Sequence, residues 1–356
     1  IRYTLDGSDP FIGSPVYNDP LIITSTTVIR AKVFVYGMFS SPTVTQTYIL
    51  DKDITLPVIS ISTDWDYLWD DQIGIYVKGT NGIVGNCSDV PVNYNQDWER
   101  PVNIEYYDQN GNPGFNQMAG TKIFGSCSRT ADQKSLSLFA RGKYGKQEFE
   151  YKLFKDKEID EFKSFIIRNS GNDIRHTMLR DGMMQTLVKD RMDLDYQEFQ
   201  PAIIYLNGAY WGILNIREKI NEDYLEANHG VDPDSVDLLY GHVYVVEGEE
   251  THFQNMMDFI RSNDMSDPDN YAYVGTQMDI NQFLNYYIAQ IYYFNQDWPK
   301  GNIKYWRPQT SDGRWRWLLY DLDFGFDFLQ YSANMVKWAT SGSEPSTELF
   351  RELVQN

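Results

Sequence analysis

The sequence predicts an α+β fold: a small antiparallel β-sandwich over residues 1–50, a linker over 51–57, and a larger two-lobed domain over 58–356. Three observations predict it. Residues 1–49 alternate short β-like runs with Gly, Pro and Asp turns, the pattern of a small all-β module. From Val58 onward strands come first and helices later, which favours segregated α+β layers. A chain of 356 residues is also long enough for two or three hydrophobic cores.

In the first block, Ile1–Leu5, Leu21–Thr24, Thr27–Phe34 and Val44–Ile49 read as strands, with a turn at Asp6–Pro10. In the second, strands are expected at Val58–Ser62, Gly74–Val77, Val102–Tyr107, Ala119–Phe124, Lys134–Phe139 and Phe165–Arg168. Asp108-Gln109-Asn110-Gly111 is a turn signal. Ile174–Met192 has helical spacing. Ala202–Leu206 and Tyr210–Ile216 flank Asn207-Gly208, a two-residue hairpin turn that requires positive φ. Asp279 is placed to cap a helix whose apolar stripe runs Ile280, Phe283, Leu284, Tyr287, Ile288, Ile291 and Phe294. A last helix starts near Ser346. The chain opens inside a strand-like run and stops inside a helix-like one, so it reads as a piece of a longer protein, and the lack of a signal peptide says nothing about export.

Composition excludes some partners. A formal charge of −19 argues against a duplex nucleic-acid binder and against adhesion to anionic membranes through a basic face. No apolar run is long enough to span a bilayer. A nucleoside triphosphate remains compatible if a divalent cation and a few local Lys or Arg offset its charge. The richness in Tyr and Trp is a composition common in β-rich extracellular and carbohydrate-associated proteins. Cys87 and Cys127 are too few for a disulfide scaffold and lack zinc spacing; their pairing is open. The four histidines are scattered.

The chemistry-bearing residues follow the predicted helix. Asp297 precedes Asn302 by five positions, and a strand–turn–strand then leads to Asp321-Leu322-Asp323-Phe324-Gly325. That is the order in which protein kinases present a base Asp, a metal-holding Asn and the metal Asp of D-F-G. Asp321 and Asp323 sit two apart on a strand-like run, so both are expected on one face as hard oxygen ligands for Mg²⁺ or Mn²⁺, Asp321 the principal one. Gly120–Phe139 reads as strand, Gly/Ser loop and strand, with Lys134 positioned either to reach the α- and β-phosphates or to sit solvated on a surface hairpin. Arg168–Asp173 is a polar cluster after an apolar strand; it can present ligand-binding groups, cap the helix after it, or both. Glu218 can orient Lys134, touch a nucleotide, or form a structural ion pair with an Arg. Met183 and Met184 read as core.

Tyr3–Pro10, Ser14–Tyr17 and Ile29–Ala31 resemble the immunoglobulin-like module at the ends of chitobiase-type hexosaminidases. Such modules are usually accessory spacers, with a glycan-binding role as the minority alternative. Six ordered segments from Gly125 to Gly325 resemble the spore-coat-protein-H-type (CotH) family of atypical secreted kinases. They are Gly125–Arg129 with Gln133–Ser135, Arg168–Asp173, Tyr205–Gly212, Arg217–Lys219, Asn295–Asn302 and Tyr320–Gly325. The resemblance implies a reduced kinase-like fold, ATP with Mg²⁺ or Mn²⁺, and phosphorylation of Ser or Thr on secreted or surface proteins. Mapped onto this chain, it makes Asp297 the base, Asn302, Asp321 and Asp323 metal ligands, and Ser128, Arg129, Lys134, Arg168 and Glu218 the nucleotide-binding set. Two alternatives remain. One is a non-catalytic surface scaffold or carbohydrate-binding protein on the same fold. The other, a glycoside hydrolase, is weaker because no acid/nucleophile pair stands out.

Overall fold

The computed structural model describes residues 1–51, 53–326, 334–341 and 344–354. The chain divides into two compact units, Ile1–Gly171 with Phe199–Glu218, and Asn172–Glu198 with Lys219–Asn356.

The first unit begins with an antiparallel sheet of β1 (Arg2–Thr4), β2 (Thr27–Lys32) and β3 (Val44–Tyr48), ordered β1-β2-β3. Leu21–Thr24 forms no strand among the described residues, and Ile22 stands 88% exposed. The wall of the adjacent barrel serves as the opposing layer. It starts with β4 (Val58–Ser62), followed by α1 (Trp65–Trp69), the hairpin β5 (Ile83–Gly85) and β6 (Ser88–Val92), then β7 (Arg100–Tyr107), β8 (Pro113–Phe124) and β9 (Ser135–Phe139). A short pair, β10 (Phe149–Glu150) and β11 (Glu161–Phe162), leads to β12 (Ser164–Arg168). After β13 (Asp195–Tyr196), which belongs to the second unit, come β14 (Phe199–Leu206) and β15 (Ala209–Glu218).

Among the described residues the strands close into a barrel, β12-β15-β14-β4-β7-β8-β9, with β9 pairing back to β12. Alternate residues such as Ile59, Ile104, Leu138, Ile167, Ile204 and Ile216 fill it. Strand β4 is buried along its whole length, Ser60 and Ser62 included, because it is paired on both sides, parallel to β14 and antiparallel to β7. The β14–β15 hairpin turns at Asn207 (φ 51°) and Gly208 (φ 79°), as predicted. Gly74–Val77, expected as a strand, instead folds back: the N–H groups of Gly74, Ile75 and Tyr76 donate to the carbonyls of Asp70, Tyr67 and Leu68. The carbonyls left open at the end of α1 capture the segment first.

The amino-terminal sheet is keyed onto the barrel by polar contacts. Glu105 of β7, only 1% exposed, accepts hydrogen bonds from Thr47 N (2.9 Å), Thr47 Oγ1 and Tyr107 Oη (2.9 Å). Thr47 Oγ1 also meets Ser60 Oγ at 2.7 Å. A carboxylate this buried is tolerable only when such donors satisfy it.

The second unit is built on a sheet ordered β13-β19-β18-β16-β17, where β16 is Val236–Tyr240, β17 Tyr244–Glu247, β18 Lys304–Pro308 and β19 Arg316–Leu319. Its described helices are α2 (Arg180–Val188), α3 (Glu222–His229), α4 (Thr251–Ser262), α5 (Pro268–Gln277), α6 (Ile280–Tyr292), α7 (Met335–Thr340) and α8 (Glu348–Leu353). The predicted helix over Ile174–Met192 is broken. A 3₁₀ turn, Gly171–Arg175, precedes α2, because the Asp173 carboxylate takes Thr177 N (3.1 Å) and Arg180 N (3.1 Å) while Met178 adopts φ 60°. Met184 is buried in the core, as expected, with Met183 packed against it.

Helix α6 starts at the predicted cap, Asp279, whose side chain accepts from Gln282 N. Its buried face differs from the apolar stripe, since Ile288 is 56% exposed and Gln282 fully buried. Gln282 exchanges two hydrogen bonds with the backbone of Trp317, giving 2.6 Å to the carbonyl and accepting at 2.8 Å from the N–H. This amide clamp fixes the rotation of α6 on β19 against its own apolar pattern.

Candidate active site

The end of α6 places the first acidic residue. Phe294 takes φ 54° and Asn295 N donates to Gln290 O at 3.2 Å, which stops the helix in a left-handed cap. A bulky residue there is strained, a feature that gathers at functional loops. Beyond the cap, Gly301 N donates to Asp297 O (3.0 Å) and Asn302 Nδ2 to Asp297 Oδ2 (2.6 Å). The predicted pair is thus one hydrogen-bonded unit. Donation through Nδ2 leaves the amide oxygen of Asn302 as a hard acceptor, an assignment that follows from the hydrogen-bond pattern.

The β18–β19 hairpin then returns the chain, but the strand ends at Leu319. Asp321 lies beyond it with φ 56°, so the alternation expected to put Asp321 and Asp323 on one face fails. Asn302 and Asp321 both occupy the left-handed region, which short polar side chains tolerate best. Asp323 turns inward: it is 1% exposed and accepts from Asn172 N (2.9 Å) and Asn172 Nδ2 (3.2 Å). Neighbouring groups hold the same segment. Leu322 N donates to Asp181 Oδ1 (2.9 Å), Arg180 Nη1 to Gly325 O (2.6 Å), and Phe326 N to Tyr293 O (2.6 Å). Gly325 sits so close to Met184 and the Tyr293 carbonyl that a Cβ would meet them at 2.7 and 3.0 Å.

Electrostatics link the two loops. Burial raises the Asp297 carboxyl above its ordinary value; the charge of Asp321 raises it further, and the Asn302 hydrogen bond opposes both. Sequence reasoning passed over Lys304, two residues after Asn302 on β18. Burial pushes its ammonium down to about 8, Lys219 adds to the shift, and Asp321 opposes it. Nearby Tyr320 is driven upward by burial first, and its buried hydroxyl has no hydrogen-bond partner among the described residues. The signal that marked Lys304 was a charge opening a strand otherwise rich in buried aromatics.

The other predicted residues lie in the first unit. A disulfide joins Cys87 to Cys127 and ties the Gly125–Lys134 loop to the β5–β6 hairpin. Gly125 adopts φ 100°, and a Cβ there would lie 2.3 Å from Ser128 Oγ. Arg129 donates to Gly125 O (2.5 Å) and Tyr94 O (2.9 Å). Lys134 is 4% exposed, so the solvated-hairpin alternative does not hold. Its ammonium donates to Arg129 O (2.6 Å) and Ala131 O (2.8 Å) and lies 4.3 Å from the Tyr94 ring centre. Burial pushes Lys134 down to about 8, Asp132 opposing and Lys78 adding. Glu218 is buried and meets Lys157 at 2.7 Å, a structural ion pair. Arg168 ends β12 opposite Asn215 of β15. The structure therefore gathers Asp297, Asn302, Asp321 and Asp323 in the second unit, and Ser128, Arg129, Lys134, Arg168 and Glu218 in the first.

Among the described residues no three His, Cys, Asp or Glu side chains converge as a preformed metal cluster. Magnesium does not demand one, because one or two carboxylates plus water and substrate phosphates normally complete its octahedron. The Asp321 carboxylate and the Asn302 amide oxygen are oxygen donors of that kind.

Residues 1–48 match the family model described as Fn3 associated, and residues 121–356 match the one described as CotH kinase protein. No curated protein matches the chain. The second match spans well over half of the sequence, and the chain belongs to the CotH kinase protein family.

Proposed function

We propose that this protein is a metal-dependent phosphotransferase that moves the γ-phosphoryl group of ATP to a Ser or Thr hydroxyl of an extracytoplasmic protein. One observation carries the reading: a half-buried Asp297, raised by burial and by Asp321, is bonded to Asn302 at the foot of a hairpin that delivers Asp321. A general base must be positioned and partly desolvated, and Asp297 is both.

In the reaction the acceptor oxygen attacks Pγ as the bond from Pγ to the β–γ bridging oxygen breaks, ADP leaves with that electron pair, and the hydroxyl proton goes to an Asp297 oxygen. Asn302 holds the carboxylate in orientation through its 2.6 Å hydrogen bond. Asp321 and the Asn302 amide oxygen would hold Mg²⁺ or Mn²⁺, and the bound ion would offset charge on the β- and γ-phosphate oxygens. Asp323 supports from behind, because its oxygens are taken by Asn172. A kinase-like pair of lobes is part of this reading.

A disulfide persists in oxidising compartments, which supports an extracytoplasmic location. No described helix is long and apolar enough to cross a membrane.

One observation favours the scaffold alternative: Lys134 spends its ammonium on its own loop, so the predicted phosphate anchor is already occupied. Incubation with labelled ATP, Mn²⁺ and a Ser-rich acceptor decides between them. Transfer lost in Asp297→Asn and Asp321→Ala supports the proposal. Transfer that survives both substitutions, or no transfer and no thermal shift with ATP and Mn²⁺, refutes it.

A further inference from the structure

Lys304 stands on a rigid base. Its backbone pairs with Leu318 of β19 on one side and Tyr240 of β16 on the other, so the strand cannot shift without breaking two ladders. Its Nζ lies 5.4 Å from the centre of the Tyr320 ring. An ammonium carries three donors. Among the described residues Lys304 makes one hydrogen bond, to Ile220 O at 3.3 Å, which is long for a charged donor. The side chain is held in place while most of its donor capacity is unspent.

The surroundings say what it could bind. Asp321 and Lys219 both act on this ammonium electrostatically. Asn302, two residues earlier, is bonded to Asp297. An acidic chain repels a polyphosphate unless a local cation offsets the charge. Two of the positive groups expected for that task in the first unit, Arg129 and Lys134, donate to backbone carbonyls of their own loop and of Tyr94. Lys304 instead stands two residues from Asn302 on β18, within electrostatic reach of Asp321.

We propose that Lys304 is a substrate-contacting residue that donates to a non-bridging oxygen of the γ-phosphoryl group, giving the site its preference for a nucleoside triphosphate over a diphosphate. This rests on the phosphotransferase reading. Lys304 keeps its proton throughout: it stabilises charge on the transferring group, while the acceptor's proton goes to Asp297.

The test measures Kd for ATP and for ADP, each with Mn²⁺, by calorimetry on the full chain, alongside kcat and KM for transfer. Lys304→Met keeps the stem over Tyr320 and removes the charge; Lys304→Gln is the second variant should the first fold poorly, and melting curves without ligand check both. The expected result is ATP affinity weakened by roughly 10–100-fold, the scale of a lost charge-assisted hydrogen bond. ADP affinity should stay near wild type, kcat should fall, and Lys304→Arg should restore part of the triphosphate preference, which a purely structural role would not do. Wild-type transfer together with an unchanged ATP-to-ADP ratio in either neutral variant overturns the inference alone. A wild-type protein that neither binds ATP nor transfers phosphate overturns the phosphotransferase reading and this inference with it.

Discussion

Replacing Lys134 by Met tests whether its charge is as deeply enclosed as the structure places it. The side chain is 4% exposed and its ammonium is pushed from 10.5 to about 8 by burial. At about 1.4 kcal/mol for each pH unit, that gap corresponds to ~3 kcal/mol of cost for keeping the charge inside the folded state. The sign follows from linkage. Between pH 8 and 10.5 the unfolded chain binds the proton and the folded one does not, so stability rises with pH across that window. The carbonyls of Arg129 and Ala131 and the Tyr94 ring favour the ammonium, which makes ~3 kcal/mol an upper bound. Lys304 titrates in the same window, so the wild type alone does not isolate Lys134; the difference from the variant does. Urea unfolding followed by Trp fluorescence, at intervals from pH 7 to 10.5, should show the wild type gaining stability relative to Lys134→Met by up to that amount. At neutral pH the variant also loses two charged hydrogen bonds, so it should not be more stable by the full ~3 kcal/mol. Parallel pH profiles for the two proteins would mean an exposed lysine, and the reasoning would fail.

Asp297→Asn should abolish transfer yet raise the melting temperature at pH 7. Burial and Asp321 disfavour the ionised carboxylate, so stability falls as pH rises through its raised folded value, and the penalty persists above it; an advantage that remains undiminished at pH 3 would refute this. Asp321→Ala should lose Mn²⁺ binding by calorimetry. Asp323→Ala should instead destabilise by roughly 1–3 kcal/mol, because the Asn172 N–H and amide lose their acceptor; equal behaviour of the two variants would sink the division of roles. Glu105→Gln should destabilise by roughly 1–3 kcal/mol, and a chain cut to start at residue 57 should melt lower than the whole, since Glu105 would lose its Thr47 donors. An unchanged melting temperature on truncation would mark the amino-terminal sheet as a tethered spacer.

Features governed by near neighbours in the chain were legible in the sequence. Asn207-Gly208 announced its hairpin because positive φ at both positions is local chemistry, and Asp279 announced its helix because a cap needs only an N–H three residues on. The Asp297–Asn302 pair was readable for the same reason, its hydrogen bond spanning five residues. What only the tertiary structure decided depends on distant partners. The barrel closes when β9 meets β12, Asp323 turns inward to Asn172, and the Gln282 clamp on Trp317 rotates α6 away from its apolar stripe. Lys134 and Lys304 look alike in the sequence, yet one ends hydrogen-bonded to its own loop and the other keeps donors to spare. A side chain's charge belongs to its residue type, but its desolvation and its partners belong to whatever the fold packs around it, and no local pattern encodes those.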